Sequence, residues 1–369
     1  MSDRRDRLPE LDALRGIAAL TVVLYHARRA IPDVGGLTAY VIGALPTHPI
    51  VAGRIPVIFF FVLSGYVLTR ALMHQPEPIN GWVFAARRAI RLCLPAGAAL
   101  LISSVLYAGF AVESWPGETE GLRAAGWWCP PGFTAFARET LLFGSNADFS
   151  MDRALWSLVH ELRLSILLPL VVAMPRFRGL DGSILLILSA FAMHALSVAG
   201  HTEIENNIML GPDLPTTIWA TAYFSLPFAT GSAMALGGWD RWRPAPKDRG
   251  IALVAAFLLL CSDNDWASVA ASSLLILAAR REGAFQSFLR HPVLVWLGQI
   301  SFSLYLIHLP ILLALAHGLH PKLSPGSVAC LAVAASLPAA WVMNRLVERP
   351  ARMLANRIGA AAGMLRPVV

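Results

Sequence analysis

Apolar residues are concentrated in ten segments of the chain, and more polar stretches separate them. A helix that crosses a bilayer needs about 20 mostly apolar residues. The segments cover residues 11–27, 55–72, 90–112, 155–174, 183–199, 218–236, 250–261, 266–279, 293–315 and 328–343. This pattern predicts an all-α fold, namely a polytopic membrane helical bundle of about ten transmembrane helices.

The seventh and eighth segments are short, and only residues 262–265 separate them. They could form two spans or a single one, and a single span would invert the topology of everything after it. Short cytoplasmic loops collect Lys and Arg, so the basic residues discriminate between the two options. With ten spans and both termini cytoplasmic, about 22 of the 30 basic residues lie on the cytoplasmic side. A single span would place Arg280, Arg281 and Arg290 outside, so we predict ten spans.

The composition excludes a soluble globular protein. Of the 369 residues, 56% are hydrophobic and 14% are charged, whereas about 25% are charged in an ordinary soluble domain. High hydrophobicity with little charge also excludes a disordered chain. Basic loops between apolar segments explain the formal net charge of +7, so we expect the lipid bilayer and no nucleic acid as a partner.

The sequence indicates one membrane domain without a metal centre. Its four cysteines form no CxxC pair, so no metal site is expected. The first apolar segment follows basic residues, as in a signal peptide, but it contains Asp12 and Arg15 and no small-residue cleavage site follows. We therefore predict a retained first span and a single integral membrane domain over residues 1–369, with no appended soluble domain.

Ionisable residues inside the first segment are candidates for function, because a charge at membrane depth is costly. Arg15 and His26 are eleven residues apart, almost three helical turns, so they share one helix face with roughly 16 Å between them. Arg15 lies near the cytoplasmic end and His26 near the outer end. A structural explanation also exists, in which Asp12 pairs with Arg15 at the interface and His26 snorkels to the membrane surface.

Two further motifs have simple structural explanations as well. Ser64 and Gly65 fall near the middle of the second segment, where such a pair more often allows close helix packing than supplies a nucleophile. No GxSxG sequence surrounds Ser64, so a serine hydrolase is not indicated. Arg88 and Arg91 share a helix face and could bind one polyanion, although the positive-inside rule alone would also produce this cluster.

A carboxylate and a histidine complete the candidate site. Glu161 lies roughly 9 Å below the predicted outer boundary of the fourth segment, where a carboxylate needs a partner. Tyr305 and His308 lie one turn apart in the outer half of the ninth segment. A lone buried histidine is more often structural than catalytic. However, His26, Glu161 and His308 are predicted at similar depth on three helices, which favours acid–base chemistry.

These motifs together resemble those of acyltransferase family 3, integral membrane O-acyltransferases that modify bacterial surface glycans and some other hydroxyl compounds. Each motif is weak alone, but their order along nearly the whole chain makes the set specific. The matching pieces are LDALRGIAALTVVLYH at 11–26, FFFVLSGY at 59–66, RAIR at 88–91, LWSLVHE at 155–161, SFSLYLIHLPI at 301–311 and VERPAR at 347–352.

The resemblance implies that cytoplasmic acyl-CoA, usually acetyl-CoA, donates its acyl group to a hydroxyl on the outer face of the cell inner (plasma) membrane. It assigns Arg15, Arg88 and Arg91 to the family's functional arginines, which we expect to bind acyl-CoA, and His26 to its essential histidine. Glu161 matches a recurrent acidic position. The family often continues this motif with a second acid and aromatic residues, whereas LRLSILLPL follows here. We expect no permanently bound cofactor.

The expected mechanism uses His26 as the general base that deprotonates the acceptor hydroxyl, because imidazole titrates near the working pH. Glu161 or another acid would orient its ring. Transient acyl transfer to His26 is an alternative route. Four further residues are candidate oxyanion, orientation or supporting groups: Asp12, Ser64, Tyr305 and His308.

A proton-coupled transporter or flippase of a glycan or acylated compound is the main alternative, because the same buried residues could relay protons. A structural subunit would explain the spans but not the polar residues inside them. The acceptor also stays open, since O-antigen, exopolysaccharide, peptidoglycan, a secreted oligosaccharide and a macrolide-like compound would each present a hydroxyl. Acetyl is not distinguished from succinyl or another short acyl group.

Overall fold

The computed structural model describes residues 8–32, 48–75, 80–113, 115, 117–129, 132–143, 149–200, 209–239, 246–262 and 264–362. The all-α prediction is confirmed over these residues, which contain no strand. The helices in chain order are α1 (Pro9–Arg29), α2 (His48–Val51), α3 (Arg54–Met73), α4 (Gly81–Phe110), α5 (Glu120–Arg123), α6 (Phe133–Thr140), α7 (Trp156–Ala173), α8 (Gly179–Gly200), α9 (Leu214–Leu236), α10 (Pro246–Leu260), α11 (Asp265–Ala279), α12 (Ala284–Leu289), α13 (Pro292–Leu319), α14 (Pro325–Met343) and α15 (Arg349–Ala361).

Each of the ten predicted segments falls in a helix of its own. Among the described residues, six stretches are long and apolar enough to cross a membrane: Arg54–Met73, Gly81–Phe110, Arg153–Ala173, Gly179–Gly200, Pro292–Leu319 and Pro325–Ala361. These stretches indicate a multi-pass membrane protein, while the total of ten spans and the cytoplasmic location of both termini stay predictions. Some of the basic residues on which the topology prediction depends lie outside the described residues, namely Arg4, Arg5, Arg7, Arg241, Arg243 and Arg366.

The short seventh and eighth segments form two helices and not one continuous span. The chain leaves the helical conformation at Cys261, and α10 and α11 then pack against each other. Each helix has 15 residues and is therefore about 22 Å long, which is shorter than the roughly 30 Å hydrocarbon core.

A close helix crossing joins α1 to α13 at a pair of glycines. A Cβ atom on Gly16 would lie 2.5 Å from the backbone nitrogen of Gly298, and one on Gly298 would lie 2.1 Å from the carbonyl oxygen of Asp12. Small residues allow membrane helices to approach this closely. Ten residues beyond Gly298, the ring of His308 meets that of His26, so α1 and α13 run parallel.

A second glycine pair joins α3 to α9. A Cβ atom on Gly65 would lie 2.0 Å from the carbonyl oxygen of Phe228, and one on Gly231 would lie 1.9 Å from that of Val62. Gly65 is therefore the packing residue that the sequence suggested. The neighbouring Ser64 is directed elsewhere, into the interior of the bundle.

The start of α1 is fixed by a buried carboxylate. Glu10 is 1% exposed and pairs with Arg280 at 3.2 Å and with Arg290 at 3.3 Å. Arg280 follows α11, and Arg290 precedes α13. The two ion pairs therefore hold the start of α1, the end of α11 and the start of α13 at the same end of the bundle.

The segment before α7 lies inside the protein. Phe149, Met151 and Leu155 are at most 1% exposed, and Asp152 is fully buried. Non-helical backbone at membrane depth is tolerated where the protein itself encloses it. The protein therefore already encloses the chain where α7 begins, five residues before Glu161.

We expect Gly298→Ala to destabilise the protein, because the new methyl group would force α1 and α13 apart. Overpacking of this kind costs about 1–3 kcal/mol and should lower the unfolding temperature of the detergent-solubilised protein by about 3 °C or more. The matched control is Gly109→Ala in α4, where nothing lies within 4 Å of the added Cβ. Equal unfolding temperatures for the two variants would contradict the glycine crossing.

Candidate functional site

A cavity of about 240 Å³ lies inside the bundle, enclosed mainly by α1, α3, α4, α7 and α13. Seven of the residues singled out from the sequence line it: Asp12, Arg15, Ser64, Arg88, Arg91, Glu161 and Tyr305. His26 and His308 are not part of its wall, and their rings pack against each other. The structure therefore divides the predicted site into a charged cavity and a histidine pair.

Glu161 is the centre of a hydrogen-bonded cluster on the cavity wall. Its Oε1 atom forms an ion pair with Nη2 of Arg88 and accepts a hydrogen bond from Oγ of Ser64 at 2.7 Å. Nε of Arg88 donates to Oγ of Ser165 at 3.2 Å. A buried ion pair is retained only where further hydrogen bonds satisfy its members. The two serines provide such bonds, so the cluster connects α3, α4 and α7 at one level.

A second ion pair on the wall joins Glu348 to Arg352, two residues for which the sequence suggested no role. Nη2 of Arg352 donates to Oε1 of Glu348 at 2.9 Å. The other carboxylate oxygen accepts hydrogen bonds from Ser303 at 2.6 Å and from Asn344 at 2.7 Å. Glu348 ends a π-helical turn, Asn344–Glu348, and such turns frequently occur at functional sites. Both residues belong to the VERPAR motif, which contributed to the family resemblance but did not indicate that they contact the cavity.

Arg91 differs from the other arginines of the cavity wall. Asp12 pairs with Arg15 at 3.3 Å, while Glu161 and Glu348 have the partners described above. Within the described part of the chain, no acidic side chain forms an ion pair with Arg91. The cavity therefore contains one guanidinium whose charge no carboxylate neutralises.

Four other arginines repel the positive charge of Arg91: Arg15, Arg87, Arg88 and Arg352. Like charges that share a partly dehydrated site repel each other, and a bound anion removes this repulsion. Phosphate oxygens match the planar donor groups of arginine. The arrangement around Arg91 can thus bind a phosphate-bearing ligand.

The histidine pair lies further along α1 and α13. The ring centroids of His26 and His308 are 5.2 Å apart, and the ring of Tyr25 packs against His26 at 5.0 Å. His26 is partly buried, whereas His308 is 1% exposed. Two imidazoles on different helices are therefore held in contact, as the sequence predicted for these two residues.

The contacts of His308 fix its tautomer. Its Nδ1 atom lies 2.8 Å from the carbonyl oxygen of Tyr305, and a carbonyl can only accept, so Nδ1 carries the proton. In the neutral ring Nε2 is then an acceptor. Nε2 is buried, and no donor pairs with it among the described residues. A hydrogen-bond acceptor is therefore available next to the ring of His26.

Tyr305 connects the cavity to the histidine pair. It lines the cavity, and its ring centroid lies 6.0 Å from that of His308. Its hydroxyl donates to the carbonyl oxygen of Ala154 at 2.9 Å and lies 2.8 Å from Oγ of Ser157. Because both of these contacts are buried, Tyr305 occupies a fixed position between the two parts of the site.

The predicted meeting of His26, Glu161 and His308 is found only in part. The two histidines meet, but Glu161 contacts Arg88 and Ser64 instead of His26. The contacts of Glu161 lie toward α3 and α4, and the chain before α7 is already buried. An orienting carboxylate at His26 is therefore absent among the described residues.

The histidine next to Glu161 in sequence belongs to another part of the interior. Nδ1 of His160 lies 2.9 Å from Oγ1 of Thr221, and its Nε2 lies 2.8 Å from the carbonyl oxygen of Met209. Both of its ring nitrogens are thus used in contacts around α9. His160 has a structural role and does not extend the site.

The fold and the site define a class: a multi-pass helical membrane protein with an arginine-lined cavity inside the bundle. The family model described as an acyltransferase domain matches residues 8–345. The chain belongs to this family, acyltransferase family 3, as its motifs predicted.

A curated relative supports the same assignment. Over 397 aligned positions the chain is 25% identical to the acyltransferase MdmB of Streptomyces mycarofaciens, and the alignment covers 97% of this chain and 95% of that protein. No solved structure matches the chain. Together with the apolar helices, family membership establishes a membrane acyltransferase.

We expect Glu161→Ala and Arg88→Ala each to lower the unfolding temperature, because the remaining charge would lack its partner at a cost of about 3–5 kcal/mol. The double variant should lose less stability than the sum of the single losses, since it removes both charges. Thermal unfolding of all four proteins in detergent measures this coupling. A control cycle pairs Glu161→Ala with Arg357→Ala, an exposed position on α15. Additive losses in the first cycle would contradict the ion pair.

Proposed function

We propose that the protein is an O-acyltransferase that moves an acyl group, acetyl in the first instance, from cytoplasmic acyl-CoA to a hydroxyl of an extracytoplasmic carbohydrate. The arrangement of the site carries this proposal. Arg91, which has no acidic partner among the described residues, lines the cavity. The histidine pair lies beyond the cavity, and Tyr305 connects the two. Family membership favours acyl transfer over transport of a glycan or acylated compound.

The proposed topology has ten spans and both termini in the cytoplasm, within the cell inner (plasma) membrane. Arg15 then lies near the cytoplasmic surface, and His26 lies about 16 Å further along α1, toward the outer surface. Because α13 runs parallel to α1, His308 lies at the same depth as His26. The donor would enter from the side where its phosphates meet the arginines.

Donor binding is assigned first to Arg91. CoA carries several phosphate charges, and the guanidinium of Arg91 has no competing carboxylate in the described part of the chain. Arg15 and Arg88 each have an acidic partner, so their contribution to the donor is the surrounding positive potential and the shape of the wall. The slender pantetheine would then extend past Tyr305 toward His26.

The chemistry is assigned to His26 as the general base. It accepts the proton of the acceptor hydroxyl while that oxygen attacks the thioester carbonyl. The new C–O bond forms as the C–S bond breaks, and the proton then passes to the departing thiolate, which leaves as CoA. The acceptor nitrogen of His308 would hydrogen-bond to a protonated His26 and so take the orienting role first assigned to Glu161.

The two-step route remains compatible with the same residues. In that route His26 attacks the thioester, carries the acyl group and is released by the acceptor hydroxyl. Ser64 and Tyr305 already donate their hydroxyl protons to Glu161 and Ala154. Because these protons are already donated, we assign Ser64 and Tyr305 to holding the cavity wall in place and not to stabilising an oxyanion.

We expect His26→Ala to abolish transfer, because it removes the proposed base that accepts the proton of the acceptor hydroxyl. Membranes containing the protein are incubated with radiolabelled acetyl-CoA and a total envelope-glycan extract, and alkali-labile label in the glycan is counted. The matched control is His74→Gln, at an exposed position after α3. Transfer by His26→Ala at the control's rate and abundance would overturn the assignment of the base.

We expect Arg91→Gln to raise the KM for acyl-CoA about tenfold and to leave the KM for the acceptor unchanged, because it removes ground-state binding of a phosphate. Initial rates with each substrate varied in turn separate the two constants. Arg178→Gln, at a position away from the cavity wall, is the control. An unchanged donor KM for Arg91→Gln would remove the proposed phosphate contact.

A further inference from the structure

We propose that Arg352 completes the phosphate-binding site of the donor together with Arg91, so that the first turn of α15 forms part of the acyl-CoA site. This inference rests on the proposed function. It adds Arg352, which lies far from Arg91 in the sequence. Neither the sequence around Arg352 nor its ion pair with Glu348 indicates a role in donor binding.

Arg352 has a donor group that no acceptor in the described chain satisfies. Its side chain is 36% exposed and lines the cavity. Nη2 is used by Glu348 at 2.9 Å, but the Nε atom is buried without a hydrogen-bond partner. Leaving a buried charged donor unpaired is costly. The Nη1 atom also has no acceptor among the described residues and, unlike Nε, it is accessible, so a ligand oxygen in the cavity can accept a hydrogen bond from it.

The contacts around Glu348 hold Arg352 in place. Ser303 and Asn344 donate to one oxygen of Glu348, which leaves the other oxygen to face Arg352. The Nε atom of Arg349 donates to the Oδ1 atom of Asn344 at 3.1 Å and so fixes the amide. A guanidinium fixed on one edge presents its remaining donors in one direction, which reduces the entropy lost when an anion binds.

Charge and chemistry indicate a phosphate. Arg352 and Arg91 line the same cavity and their charges repel each other, so one anion can face both guanidinium groups. Glu348 neutralises only part of this charge, since Arg91 has no acidic partner in the described residues. A phosphate offers several oxygens to two guanidinium groups, as a single thioester carbonyl does not. CoA carries two such groups, a diphosphate and a 3′-phosphate.

The test compares acetyl-CoA with 3′-dephospho-acetyl-CoA in the wild type and in Arg352→Gln. We expect Arg352→Gln to raise the KM for acetyl-CoA about tenfold, with kcat within about twofold and an unchanged acceptor KM. Arg357→Gln, on the same helix and exposed, is the matched control. It should behave as the wild type with both donors.

The second donor tells which phosphate is bound. A difference between variant and wild type that disappears with 3′-dephospho-acetyl-CoA assigns Arg352 to the 3′-phosphate, and a difference that persists assigns it to the diphosphate. Both outcomes support the proposal. A donor KM equal to that of the wild type would overturn it and leave Arg352 as a structural partner of Glu348.

Two further measurements keep the test decisive. If Arg352→Gln does not fold, Arg352→Lys retains the charge without the Nε donor, and a donor KM raised about threefold supports the proposal while a wild-type KM overturns it. Equilibrium binding of CoA to the wild-type protein separates this inference from the function on which it rests. Binding by the wild type with equal binding by Arg352→Gln overturns the inference alone, and no binding by the wild type overturns both.

Discussion

The ion pair between Glu161 and Arg88 is the contact on which the shape of the cavity depends. Neither side chain is stable at membrane depth without the other, and Ser64 and Ser165 satisfy their remaining hydrogen bonds. The cluster therefore fixes α3, α4 and α7 relative to one another. It also neutralises Arg88, so that the positive charge available to a ligand is concentrated at Arg91. In the proposed donor site, this ion pair therefore directs the phosphate of the donor to Arg91.

The parallel packing of α1 on α13 fixes the position of the cavity relative to the two histidines. The glycine crossing at Gly16 and Gly298 sets the register of the two helices, and that register brings His26 to His308 about three turns later. One helix pair therefore holds both the arginine-lined cavity and the histidines at a fixed separation. A long, flexible donor with phosphates at one end and a thioester at the other matches this separation. Because the chain belongs to acyltransferase family 3, we interpret this donor as an acyl-CoA.

Much of the fold follows from the sequence, because apolar segments of sufficient length form helices almost regardless of their context. All ten segments are helical, and the close packing at Gly65 was predicted from its small neighbours. Depth was harder to predict, since hydropathy does not show that residues 149–155 fold into the bundle before α7 begins. The contacts of Glu161 with Arg88 and Ser64 were therefore not predicted. The contacts of Glu348 and Arg352 depend on a π-helical turn that brings the end of the chain back to the cavity, and no local pattern encodes that approach.

The central claim is that the acyl group crosses from a donor on one side of the membrane to an acceptor on the other. The most direct test uses purified protein in sealed proteoliposomes that enclose acetyl-CoA labelled in its acetyl group, with envelope-glycan extract outside and the His26→Ala protein as the blank. Only molecules whose donor face points inward can act while the vesicles are sealed, so a second preparation with labelled acetyl-CoA outside and the glycan extract enclosed tests the opposite orientation. The account predicts alkali-labile label in the external glycan while the vesicles remain sealed. Label that appears only after the vesicles are permeabilised would contradict it.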